Sequence, residues 1–354
     1  VKQIIGLLVS FLFICMVAIA WKFFIFIKGP TQSPSDSVVF EVSKGLSFRS
    51  IAELLEEKGI VTDKDLLIIY ARFTGYGKRL RAGEYMLDKS SSPRTVLEIL
   101  SSGKSIQHLV TFPEGINIFE IASQLEKLGF GSARDFVKLA HDKKLIYQLL
   151  KADLRSFEGY LFPETYGFTK YTSQREIIEV MVNRFLEVYS AISKEAGNAM
   201  DRHKAVTLAS IVEKETGAGP ERARIASVFF NRLRKGIRLQ SDPTILYGIM
   251  EKTGEMKTNI TREDLKEYTA YNTYRVDALP AGPIANPGRE ALGAALNPEN
   301  SNYLYFVSRN NGTHVFSETL QGHNQAVKTF QLDPQQREGK SWRNLRDKKN
   351  ASHK

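Results

Sequence analysis

The run from Ile4 to Ile27 constrains this chain more than any other feature, because nearly every residue in it is apolar and Lys22 is its single charge. As a helix rising about 1.5 Å per residue, a run of this length covers the roughly 30 Å hydrocarbon core of a bilayer. Lys2 precedes the run, Trp21 sits late in it, and Lys28 closes it. A transmembrane anchor over residues 1–28 is therefore expected. Ala18-Ile19-Ala20 has the small-x-small form of a signal-peptidase site. Phe23 to Ile27 continue the apolar run beyond it, which favours an uncleaved helix. Either way, the rest of the chain is exported. The only cysteine, Cys15, lies inside the run, so no disulfide can form within the chain and no thiol serves the soluble part.

Residues 29–37, Gly-Pro-Thr-Gln-Ser-Pro-Ser-Asp-Ser, form a polar linker that cannot pack a core. An internal repeat follows. Val38 to Val42 reads as a strand, Lys44-Gly45 as a turn, and Phe48, Ile51, Ala52, Leu54 and Leu55 as the apolar face of a helix ending at Gly59. The second copy reads Leu109 to Phe112, Glu114-Gly115, then Ile118, Ile121, Ala122 and Leu125, ending at Gly129. The two copies keep one offset of 70 residues. Each is expected to close on a Gly-Tyr strand, at Gly83-Glu84-Tyr85 and at Gly159-Tyr160-Leu161. Strand, helix, helix, strand is the build of LysM-type carbohydrate modules, which suggests a LysM-like region over 38–105 and a second repeat-like region over 106–170. A prop holding a catalytic domain off the membrane explains the same pattern.

Residues 171–332 have the texture of a catalytic domain, with long helices followed by loops rich in Gly, Pro, Asn, Thr and Tyr. Three helices are expected, from Arg175 to Glu195, from His203 to Thr216 and from Glu221 to Lys235. Asn302 to Ser308 and Gly312 to Ser317 read as a hairpin, and 333–354 as a basic, disordered tail. The expected class is α+β: an N-terminal transmembrane helix, a LysM-like repeated region and a mixed α/β catalytic domain.

Ala205 to Gly217 reads AVTLASIVEKETG. At 100° per residue, Leu208, Ile211 and Val212 lie within about 60° of Glu215, so a carboxylate continues the apolar stripe while Ser210 and Lys214 face elsewhere. Burial and the negative end of the helix dipole, in the last turn before Gly217, both oppose its ionisation. A general acid working near neutral pH needs such a shift. The competing explanation is a buried ion pair with Arg222 or Arg224. Glu213, about 160° around the helix, is expected to brace the structure.

IVEKET, Asn231-Arg232-Leu233, the stretch Leu239 to Gly248, Tyr271-Asn272-Thr273-Tyr274, the stretch Leu279 to Gly288, Tyr303 to Val307 and His323-Asn324 follow in order. Together with Glu158 to Tyr166 they strongly resemble the MltG (YceG-like) family of endolytic murein transglycosylases. The pattern departs from the family's at Glu164, where Asp is expected, and at Ala281, where a second Pro is expected. The resemblance implies that Glu215 is the catalytic residue, cutting the β-1,4 bond between N-acetylmuramic acid and N-acetylglucosamine. It would act as general acid and then as general base, leaving a 1,6-anhydro end. The muramyl 6-hydroxyl is then the nucleophile, so one carboxylate suffices, and no second acid shares a motif face with Glu215. Candidates to hold the sugars are Glu213, Gln240, Asp242, Tyr247, Tyr271, Asn272, Tyr274, His323 and Asn324. The implied partners are peptidoglycan glycan strands, the inner membrane and peptidoglycan synthases. The implied location is the inner (cytoplasmic) membrane, in a single pass with the catalytic domain periplasmic.

Other chemistries find little support. Gly103-Lys104-Ser105 ends like a P-loop, but Glu98 stands where its first Gly belongs. There is no G-x-S-x-G elbow and no His pair at metal-ligand spacing, so neither cofactor nor metal is expected. The net charge of +10 favours an anionic partner, and export makes wall or lipid the expected one rather than nucleic acid. A non-catalytic peptidoglycan-binding scaffold of the synthesis machinery is the alternative function.

Overall fold

The computed structural model describes residues 2–29, 36–196, 200–215 and 219–333. Most of the expected linker, the expected tail from 334 onward and Gly217 lie outside the described residues. The chain is mixed α and β and divides into two compact units. One comprises Val1–Val110 with Gly167–Thr172, the other Thr111–Tyr166 with Ser173–Lys354.

The first unit begins with α1 (Lys2–Lys28), which is long and apolar enough to cross a membrane. β1 (Ser37–Val42), α2 (Phe48–Glu57), α3 (Lys64–Thr74), β2 (Gly83–Asp88), α4 (Pro93–Ser102) and β3 (His108–Thr111) follow. β1 and β2 pair antiparallel, with Phe40 opposite Tyr85. Their alternating side chains put Phe40, Val42, Tyr85 and Leu87 on one face, buried against Ile51, Ala52, Leu55, Leu67 and Leu97 of the helices. Ser47, Asp63 and Ser92 each cap a helix by accepting from a backbone amide three residues on.

The remaining elements are α5 (Ile118–Lys127), α6 (Ala133–Ala140), α7 (Lys143–Leu150), β4 (Thr165–Phe168), α8 (Gln174–Glu195), α9 (Arg202–Glu215), α10 (Arg222–Arg234), α11 (Asp242–Thr253), α12 (Arg262–Lys266), α13 (Arg289–Leu296), β5 (Tyr305–Ser308), β6 (His314–Ser317) and α14 (Leu320–Val327). α5 starts and ends 70 residues after α2. Between β3 and β4, which pair with each other, three helices stand rather than two.

The expected strand at Gly159-Tyr160-Leu161 is instead a buried turn, and the strand forms four residues later, at β4. Gly159 sits at φ +84, where a strand residue cannot, and a Cβ there would lie 2.6 Å from Pro283 and 2.7 Å from Val206. The Leu161 amide donates to Asn286 Oδ1 at 2.9 Å, so no neighbouring strand receives it.

Candidate active site

The site is built on the end of α9. Asp201 opens this helix by accepting from the amides of His203 and Lys204 at 3.0 and 3.1 Å. From Ala205 to Val212 every residue is buried, so the helix is enclosed on all sides and not along one stripe. Ser210, expected to face away from the Glu215 stripe, is buried too and accepts from the Ile284 amide at 3.0 Å. The remaining faces are covered because α10, α11 and α13 all pack on α9.

The last turn of α9 is fixed from two sides. Glu213 pairs with Arg222 at 3.1 Å and accepts from the Gly288 amide at 2.9 Å. Arg222 also pairs with Glu290 and, at 3.6 Å, with Glu114. Lys214 Nζ donates to Gly115 O at 3.1 Å. Glu213 and Lys214 thus hold the turn that presents Glu215. Arg224 pairs with Glu299 at 3.0 Å, so neither arginine of the expected ion pair reaches Glu215.

Glu215 faces a cavity of about 330 Å³, lined also by Phe229, Arg232, Leu239, Gln240, Asp242, Tyr274, Phe306 and His323. Its Oε1 accepts from the Ser241 hydroxyl at 2.5 Å. Burial pushes its carboxyl up to about 7; the negative charge of Asp242 acts in the same direction, while the Ser241 hydrogen bond and the Arg232 charge oppose it. Asp242 stands at the start of α11 and accepts from the Tyr274 hydroxyl at 2.7 Å. Burial, reinforced by that carboxylate, pushes the Tyr274 phenol up, so it stays a donor.

Arg232 forms the opposite electrostatic wall. Its Nε donates to Leu304 O at 2.7 Å and its Nη1 to Leu239 O at 2.8 Å. Its guanidinium lies 5.2 Å from the centre of the Tyr305 ring, which stacks on His323 with centroids 5.2 Å apart. Burial holds His323 below the ordinary imidazole value, which disfavours its charged form. The cavity therefore combines a protonatable acid, a second carboxylate, a fixed cation and apolar rings, which suits a polar ring-shaped ligand undergoing acid–base chemistry.

The YceG-like family model matches residues 40–329, most of the chain. The chain belongs to this family. It is 33% identical over 320 residues to a Bacillus subtilis protein named endolytic murein transglycosylase, a match covering 85% of this chain and 87% of that one. A Streptococcus pneumoniae protein of the same name is 30% identical over 304 residues, covering 77% of this chain and 54% of the longer relative. The crystal structure of a YceG-like protein from Listeria monocytogenes superposes with a TM-score of 0.55 at 32% identity, over 82% of this chain and 99% of that one.

Of the residues singled out in this YceG-like sequence, the cavity brings together Glu215, Gln240, Asp242, Tyr274 and His323. The others sit elsewhere. Tyr247 and Tyr271 are buried, with ring centroids 4.8 Å apart. Asn272 is buried and braces a loop, donating to Glu267 O at 2.6 Å and accepting from the Tyr274 amide at 2.9 Å. Asn324 is exposed on α14, and Glu213 belongs to the Arg222 cluster. Asp242 shares no helical face with Glu215 because it comes from another element, α11.

Arg232, Ser241 and the apolar lining residues escaped notice, although the first two stand inside ordered motifs. Ser241 directly before Asp242-Pro243 is a helix-start signature. Glu158 was missed as well. It is 1% exposed, its oxygens accept from the Ile118 amide at 3.0 Å and Asn286 Nδ2 at 3.1 Å, and burial pushes it up to about 8.

Proposed function

We propose that this chain is an endolytic murein transglycosylase whose acid and base is Glu215. The observation that carries this reading is a carboxyl held near pKa 7 on the wall of a cavity of ring-accommodating size, in a chain whose named relatives are endolytic murein transglycosylases. Near neutral pH such a group both gives and takes a proton with little free-energy penalty.

Glu215 protonates the oxygen between N-acetylmuramic acid and N-acetylglucosamine as the C1–O bond breaks. It then takes the proton of the muramyl 6-hydroxyl as O6 bonds to C1. The glycan ends as 1,6-anhydro-muramic acid, and no water is consumed. Asp242 serves in this scheme as a fixed negative charge that keeps Glu215 protonated and stabilises positive charge developing at C1. Gln240, Tyr274, Arg232 and His323 are the groups available to sugar hydroxyls and acetamido oxygens.

α1 acts as a single-pass anchor that leaves the catalytic part outside the cytoplasm, close to emerging glycan strands. The β1–α4 segment is either a LysM-like glycan-holding module or a spacer. Peptidoglycan synthases are the fitting protein partners.

Mass spectrometry of purified glycan strands after digestion tests the chemistry. The expected product is lighter by one water than a hydrolysed end. Incorporation of solvent ¹⁸O at a reducing terminus would make the enzyme a hydrolase and Asp242 its second carboxylate.

A further inference from the structure

Ser241 lies where a short knot of threonines meets the acid. It is 2% exposed, so its hydroxyl has no water to turn to, and Glu215 Oε1 at 2.5 Å is its acceptor. Its backbone is pinned on both sides. The Ser241 amide donates to Thr273 Oγ1 at 2.9 Å, and its carbonyl accepts from Thr244 Oγ1 at 2.6 Å. Thr244 Oγ1 and Thr273 Oγ1 lie 2.8 Å apart, and Thr273 Oγ1 also donates to the Ser241 carbonyl at 3.4 Å. Thr244 and Thr273 are both fully buried. The preceding residue, Gln240, sits at φ +54, a left-handed conformation uncommon for a side chain of its size. That turn delivers Ser241 to the knot and leaves Gln240 lining the cavity.

We infer that Ser241 is a positioning residue for the reaction, whose hydroxyl, locked by Thr244 and Thr273, occupies Oε1 of Glu215 and leaves Oε2 as the oxygen that carries the exchanged proton. With the Ser241 proton directed at Oε1, Oε2 is the oxygen favoured to carry the acid's proton. The same bond favours the charged carboxylate, which offsets part of the effect of burial and keeps Glu215 able to return as a base. The inference rests on Glu215 being the acid proposed above.

The test compares full-length wild type, Ser241→Ala, Ser241→Thr and Thr273→Val on purified glycan strands, with kcat, KM and the pH dependence of kcat/KM measured for each. Ser241→Ala is expected to lower kcat about 10- to 100-fold with little change in KM. It should also move the alkaline limb to higher pH, because loss of the donor raises the Glu215 pKa. Ser241→Thr keeps the hydroxyl and should restore the wild-type limb, and Thr273→Val should shift it in the same direction as Ser241→Ala but less.

A ¹³C titration of the Glu215 carboxyl, identified by its loss in Glu215→Gln, reads the same shift without substrate. A Glu215 pKa unchanged by Ser241→Ala overturns the inference, whatever happens to the rate. Active wild type, inactive Glu215→Gln and an unmoved limb in Ser241→Ala would sink the role of Ser241 alone. A fully active Glu215→Gln would sink the proposed acid itself.

Discussion

A fully buried carboxyl and a half-buried one, both in the unit formed by residues 111–166 and 173–354, make an instructive pair. Glu215 is pushed up to about 7 and Glu158 to about 8, in both cases chiefly by burial. Glu158 is 1% exposed and has both oxygens engaged by Ile118 and Asn286. Around it Asn286 Nδ2 also donates to Ile116 O at 2.9 Å, so the acid sits in a seam joining three segments of chain. Glu215 has one oxygen taken by Ser241, and its side chain faces the open cavity. A raised pKa alone therefore does not mark an acid as catalytic. Only an acid open to a ligand can act on one, and an acid sealed by donors serves the structure.

The largest expected effect separates the two by activity. Glu215→Gln should cut glycan cleavage by at least about 10²- to 10⁴-fold while the thermal transition stays near that of wild type. Glu158→Ala should do the reverse, unfolding at markedly lower denaturant because buried donors on Ile118 and Asn286 lose their acceptor, each costing about 1–3 kcal/mol. Wild-type stability in Glu158→Ala, or wild-type turnover in Glu215→Gln, would break the contrast.

A smaller effect concerns pH. The folded chain holds the Glu158 proton up to about pH 8, whereas an ordinary glutamate releases it near 4.5. Between those values the folded state binds more protons than the unfolded one. Stability from this group is thus fully present below about 4.5 and lost as pH rises toward 8. Denaturant melts at pH 5 and pH 8 should differ more in wild type than in Glu158→Gln, and equal differences would remove Glu158 from the comparison. The smallest effect sharpens the cavity side. Asp242→Asn removes a charge that raises the Glu215 pKa, so the alkaline limb of kcat/KM should move to lower pH by less than about one unit. Movement upward would show that Asp242 acts on Glu215 through something other than its charge.

Much of the scaffold was legible because its signals are local. The apolar run of α1 and the left-handed glycines Gly45, Gly59, Gly115 and Gly129 each depend on residues a few positions apart. Glu215 was legible for the same reason, as a carboxylate ending an apolar helix. The reading failed where one residue type serves two purposes. Tyr247, Tyr271 and Tyr274 look alike in sequence, yet the first two are buried structural contacts and only the third lines the cavity.

The sequence by itself determined that α1, α2, α5, α8, α9 and α10 form and that an acid closes α9, whereas α11, α12 and α13 stand where loops were expected. Only the tertiary structure decided the company that acid keeps. Arg232 comes from α10, Ser241 and Asp242 from the start of α11, Tyr274 from a turn and His323 from α14, and no periodicity of 3.6 or 2 reports on which of them meet. Packing of α9 against α10, α11 and α13 decided it, by burying every face of the helix and leaving its last residue beside the one cavity wall where a hydroxyl, a carboxylate and a cation converge.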